Sequence, residues 1–195
     1  MRSVLLIASC ALISTICSAQ GGGDKPSRDT PYSASDTRVG DSSTTQQPCL
    51  ELTDVKAKTP PDVLYRIVGA CVAQARFVEA RRVFALAGLY SRFDAERVAD
   101  KTASDAGSVL VLNTFSQFPI EVRKKFQQSF VEMTKDADAM QSLCLDVQRV
   151  GEPAYYPDYM IAHGIGHSDA PLLANFDAKR TWAMYLTSYL HCAQP

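Results

Sequence analysis

TPPDVLYRIVGACVAQARFVEARRVFALAGLY, residues 59–90, decides the fold. Val63, Leu64, Ile67, Val68, Cys71 and Val72 recur at i, i+1, i+4, i+5, i+8 and i+9, a spacing that gathers apolar side chains along one stripe of a helix. Thr59 is placed to cap this helix and Pro60 to occupy its first turn, where a missing N–H costs nothing. A second stripe follows almost at once in Ala80, Val83, Phe84, Ala87 and Tyr90. So short a connection makes the two helices antiparallel neighbours.

Leu64, Ile67, Ala80, Phe84 and Ala87, with Ala75 to Ala80 at the turn, resemble one tetratricopeptide-type hairpin. The unit does not recur, and stacked repeats need about three copies to bury their faces. A TPR-like hairpin built into a globular bundle is therefore expected, rather than a concave peptide-binding array.

Further along the chain the helical period persists. A third helix opened by Asp94 carries Ala95, Val98, Ala99, Thr102, Ala106, Val109 and Leu110, until Phe118-Pro119 stops it. Val122, Phe126, Phe130 and Met133 mark a fourth; Met140, Leu143, Cys144 and Val147 mark a fifth, ended by Gly151. Residues 152–176 hold Pro153, Pro157, Pro171, Gly164 and Gly166, and predict loops around one short helix starting at Pro157. Asp177 caps a last helix whose Trp182, Tyr185, Leu186 and Tyr189 face inward. No window alternates as strands do. The expected fold is all-α, a single globular bundle of about six to seven helices over residues 49–195.

Towards the N-terminus the character changes. Residues 20–48 are rich in Gly, Ser, Thr, Asp, Gln and Pro, with Tyr32 and Val39 the only sizeable apolar side chains, and predict a disordered linker. Gly21-Gly22-Gly23 follows no strand and opens no helix, so it is no phosphate loop. Residues 1–19 read as a signal peptide: Arg2, an apolar run Val4 to Ile16, and small residues Cys17-Ser18-Ala19 before a cleavage at Gln20. Ile7-Ala8-Ser9-Cys10 has the form of a lipoprotein site, but only Val4 to Ile7 precedes it, short of the roughly 7 apolar residues required. A spanning helix needs roughly 20. A periplasmic or secreted protein is expected, with no stable membrane insertion after cleavage.

Cleavage leaves 176 of the 195 residues and, because Arg2 is the only charge removed, moves the formal charge from −1 to −2. That balance argues against a nucleic-acid partner. Charge is nonetheless uneven. Residues 56–104 carry nine basic side chains (Lys56, Lys58, Arg66, Arg76, Arg81, Arg82, Arg92, Arg97, Lys101) against five acids, and residues 132–177 carry eight acids against Lys135 and Arg149. Two solvated helical faces, or a dipolar surface that steers a charged partner, would each produce this. Cys49, Cys71, Cys144 and Cys192 remain after cleavage, an even number that in an oxidising compartment reads as two disulfides. Three connectivities are possible; Cys49–Cys71 with Cys144–Cys192 is favoured because each pair pins an end of the fold onto an internal helix. No pair has the CxxC spacing of a zinc site.

Chemical motifs are few. His163-Gly164-Ile165-Gly166-His167 places two histidines at i and i+4, as zinc helices do, but glycine stands where HExxH has its base, and each glycine costs a helix about 1 kcal/mol. A small metal-dependent hydrolase using His163 and His167 is the alternative this pair keeps open; a turn after a helix end is the plainer use. His167-Ser168-Asp169 has the residue types of a hydrolytic triad, yet consecutive side chains diverge and cannot form the relay. GxSxG, GxxxxGKS/T and GxGxxG are absent from the sequence. No catalytic residue, cofactor or resident metal is assigned. Tyr155, Tyr156 and Tyr159, clustered around Pro153 and Pro157, suit a recognition surface or a lid on the bundle. With Arg76, Arg81, Arg82, His163 and His167 they are the candidate partner-binding residues.

Phe84 to Asp94, Arg97 to Lys101, Tyr155-Tyr156-Pro157, Tyr159 to Gly164 and Tyr189-Leu190-His191-Cys192 resemble a group of small secreted all-helical bacterial proteins, over about residues 60–192. The group is similar in size, leader and build to periplasmic immunity proteins, which block antibacterial effectors; many of those are lipoproteins, unlike the leader read here. The resemblance implies no catalytic motif. It implies a binding protein whose partner is a toxin or effector.

Overall fold

In the computed structural model, which describes residues 47–166 and 171–193, Pro61 opens the first helix and Pro60 stands at its N-cap. Thr59 is therefore not the cap, and no side chain takes that role. The leader, the linker up to residue 46 and His167-Ser168-Asp169 lie outside the described residues. Seven α-helices are present among the described residues: α1 (Pro61–Ala73), α2 (Phe77–Arg97), α3 (Ala106–Ser116), α4 (Ile120–Lys135), α5 (Ala137–Val150), α6 (Asp158–Ile161) and α7 (Ala178–Ser188). Two 3-10 turns, Leu52–Asp54 and Lys101–Asp105, complete them, and the only strand-like feature described is one antiparallel bridge between Val98 and Leu172. The all-α bundle with its helical hairpin is what the apolar period predicts.

The α1–α2 hairpin turns over residues 74–76, where the Arg76 and Ala75 amides donate to the Cys71 and Val72 carbonyls at 2.9 and 3.0 Å. Those bonds satisfy carbonyls that a helix end otherwise leaves without partners. α2 is the axis of the fold. Its Ala80, Val83, Leu86, Ala87, Leu89, Tyr90 and Phe93 are buried, and α1, α3, α4 and α7 all pack on it. Phe84 is the joint between layers: its ring meets Tyr65, Phe115, Phe126 and Phe130 at centroid distances of 5.8, 5.9, 5.4 and 5.5 Å, each edge-on. Such pairs contribute about 0.5–1.5 kcal/mol each beyond the area they bury.

The sequence places a helix start at Asp94; instead α2 runs through it for 21 residues to Arg97. Asp is a favoured N-cap, but this carboxylate is engaged by tertiary donors, and no glycine or proline breaks the chain around it. The break falls at Val98, whose extended backbone bridges to Leu172. Asp100 then caps the following 3-10 turn through the Thr102 amide, and α3 begins only at Ala106. Asp136 caps α5 and Asp177 caps α7 through the Arg180 amide. Gly151, at φ 88°, ends α5 in the left-handed region that glycine adopts without strain.

Disulfides join Cys49 to Cys71 and Cys144 to Cys192, the favoured connectivity. The first ties the entering chain to α1; the second ties the chain end to α5. They close sequence separations of 22 and 48 residues. In the chain-entropy model such loops stabilise by about 3 and 4 kcal/mol. Replacing Cys144 and Cys192 together by serine should therefore lower the urea unfolding free energy more than replacing Cys49 and Cys71, by about 0.7 kcal/mol.

Candidate functional site

α2 places Val83, Ala87, Tyr90 and Asp94 along one buried face at spacings of four, three and four. The last position on that face is an acid with no solvent exposure. Asp94 Oδ2 accepts hydrogen bonds from the Tyr155 and Tyr159 hydroxyls at 2.8 and 2.9 Å, and Oδ1 accepts one from Arg97 Nε at 2.8 Å. Arg97 Nη2 lies 2.7 Å from the same oxygen as an ion pair, outside hydrogen-bonding alignment. The guanidinium also covers the rings of Tyr155 and Phe93, 5.0 and 5.4 Å from their centroids. Burial pushes the Asp94 carboxyl up to about 6, against the opposing pull of the Arg97 charge and the three donors. Burial and the neighbouring carboxylate push both phenols far above their ordinary value, so they remain donors.

This cluster answers where two of the three tyrosines lie. Tyr155 and Tyr159 turn their hydroxyls into the fold, while Tyr156 between them is 50 % exposed. The structure does not bring the three onto one surface. The arginines are likewise committed to the fold. Arg76, at the N-cap of α2, pairs with Glu79 in the first turn of the same helix at 3.0 Å. Arg81 donates to the Ser129 carbonyl at 2.7 Å, joining α2 to α4, and Arg82 pairs with Asp146, joining α2 to α5.

His163 is exposed on the turn that ends α6, and His167 lies outside the described residues. The intervening glycines have a packing reason. The Gly166 amide donates to Asp100 Oδ2 at 2.7 Å and the Ile165 amide to Thr102 Oγ1 at 3.0 Å. A Cβ on Gly164 or Gly166 would stand 2.3 or 2.9 Å from Asp100 Oδ2, so the loop approaches the 3-10 turn closely only because both lack one. Among the described residues, no group of three or more His, Cys, Asp or Glu is placed to hold a metal ion.

Two recesses flank α3. One, of about 740 Å³, lies against α1 and is floored by Gly69, Ala70 and Ala73, with Leu110, Asn113 and Thr114 from α3 and Gln117 at its C-cap. The other, of about 530 Å³, lies against α2 and is lined from the α3 side by Ser104, Gly107, Ser108 and Val111. Between them α3 presents Val109 and Leu112, 37 % and 67 % exposed. The two are i and i+3 neighbours on one helix face. The apolar period predicts Val109 on a buried stripe; with the helix starting at Ala106, the buried positions are instead Ala106, Gly107 and Thr114. Comparison with protein-family models, curated proteins and solved structures gives no match to this chain.

The Asp94 cluster generates two expectations. Asp94→Ala leaves two phenols and a guanidinium without their acceptor, and should lower the urea unfolding free energy by about 3 kcal/mol or more. The second concerns pH. The folded carboxyl at about 6 binds its proton more tightly than the unfolded one near 3.8, so this group's contribution to stability falls as pH rises between those values. Unfolding free energies measured across that window should show the decline in the native protein, and Asp94→Asn should remove this part of it.

Proposed function

We propose that the chain is an exported binding protein of the immunity type, acting in the periplasm or outside the cell by covering a toxin or effector through direct protein contact. The outward face of α3 carries this reading: an apolar pair, Val109 and Leu112, stands as a ridge between two recesses. A ridge with a hollow on each side is the relief that a partner's helix or loop can straddle, with Leu112 as the buried anchor. Specific complexes of this kind bury roughly 1,200–2,000 Å² in total. α3 would supply the centre of such a patch and its polar neighbours Asn113, Gln117 and Ser108 the rim.

Export is supported by the leader-like start of the sequence and by two disulfides, which persist in oxidising compartments. Among the described residues no helix is long and apolar enough to cross a membrane.

The test is association with the product of the adjacent gene, together with protection of cells in which that product is directed to the periplasm. Binding and protection are expected. Leu112→Glu should weaken binding by about tenfold or more while leaving the circular dichroism spectrum unchanged. Absence of both association and protection would end the proposal.

A further inference from the structure

The recess between α2 and α3 has the chemistry of a ligand pocket. Its volume of about 530 Å³ falls in the range of small-molecule sites, roughly 300–1,000 Å³. Helix packing forms its floor: a Cβ on Gly107 would stand 2.8 Å from Ser91 Cβ, and one on Gly88 2.1 Å from the Tyr189 hydroxyl oxygen. The rings of Tyr65 and Phe84 supply apolar wall, and Ser108 of α3 and Ser104 of the turn before it bring hydroxyls from the other side.

The charge is one-sided. Arg92 lines the recess with its guanidinium 4.1 Å over the Tyr189 ring. Among the described residues no carboxylate pairs with it; Glu96, one turn further on, accepts the Tyr185 hydroxyl at 2.8 Å instead. No acidic residue lines the recess. Tyr65, only 3 % exposed, has its phenol raised by burial and then by Tyr189, with Ser91 and Arg92 acting in the opposite direction. It therefore keeps its proton and remains a donor at neutral pH. Arg92 is exposed, steered by the Tyr189 ring and by the Gly88 carbonyl, to which its Nη1 donates at 3.5 Å. A cation so placed beside hydroxyls, backed by aromatic walls and free of competing acid, recognises an anion attached to an apolar body.

We propose that this recess binds a small monocarboxylate with an aromatic body, the carboxylate held by Arg92 and the hydroxyls, the body against Tyr65 and Phe84. The same chemistry is offered by a free aryl acid and by the C-terminal residue of a peptide. The proposal does not depend on α3 docking an effector.

Titration of the purified protein with phenylacetate, phenylacetamide, and Gly-Gly-Phe with a free or amidated C-terminus, followed by NMR of the tyrosine rings, tests it. Saturable shifts at Tyr189, which lines this recess and not the α1–α3 one, are expected for the acids together with shifts at Tyr65, which lines both, and the amides should be weaker by about tenfold or more. Arg92→Gln should cost a similar factor, and Ser108→Leu, at an exposed position that fills the recess, should block binding with the fold intact. Phenylacetate binding with an inert peptide assigns a free acid; binding of both acids admits a chain terminus. Equal binding of acid and amide, no saturation by either acid, or shifts confined to the α1–α3 recess would overturn the assignment.

Discussion

Two phenols and a guanidinium converge on one solvent-free carboxylate, Asp94, and through it the irregular segment after α5 is held to the central helix. That segment cannot hold itself. Among its described residues the one helix, α6, has four residues, far below the length at which an isolated helix persists. Most of its anchors come from α2 and the turn beyond: Tyr90 donates to the Gly151 carbonyl at 2.8 Å, the Ala99 amide to Pro171 at 2.8 Å, and the Leu173 amide to Arg97 at 2.9 Å, while the Ala154 amide donates to the Ala57 carbonyl ahead of α1 at 2.8 Å. Met160 adds a buried apolar contact with Val98, Ala103 and Ala106. Burying a carboxylate is unfavourable by itself, and its raised proton affinity records that cost. What offsets it is that each of its oxygens has a partner.

The same helix sets the surface relief. Gly88 and Ser91 let Tyr189 and Gly107 approach α2 closely, while Gly69, Ala70 and Ala73 keep α1 low beneath α3. α3 is therefore gripped at Ala106, Gly107 and Thr114, with Leu110, Val111 and Phe115 partly buried against the core, and its opposite face, Val109 and Leu112, stands clear. The ridge and its two hollows follow from small residues at helix crossings. The proposed protein contact and the proposed carboxylate pocket are two readings of neighbouring parts of that relief.

Most helices were legible because their apolar stripes are regular: α1, α4, α5 and α7 lie where the period puts them, and Gly151 and Asp177 end and begin helices by ordinary capping. The α2–α3 boundary was not, because a local preference, aspartate as a cap, competed with a tertiary one. The signal was present: Asp94 continues the Val83, Ala87, Tyr90 face and has Arg97 three residues on, which marks a buried, paired acid. The site was less legible than the fold. Tyr155 and Tyr159 differ from Tyr156 only in which way the loop and α6 turn them, and nothing in their types says so. Arg92 looks like its eight basic neighbours in sequence; only the structure distinguishes it, by stacking it on Tyr189 beside a recess without acid.

The most direct test of the account is native-state hydrogen exchange on Asp94→Ala. If the carboxylate is what fastens residues 151–166 and 171–173 to α2, amides from Gly151 to Ala162 and at Leu173 should open together at a much lower free energy, while α1 and the N-terminal half of α2 keep their protection. Unchanged protection in that segment, or an equal loss across α1 and α2, would contradict it.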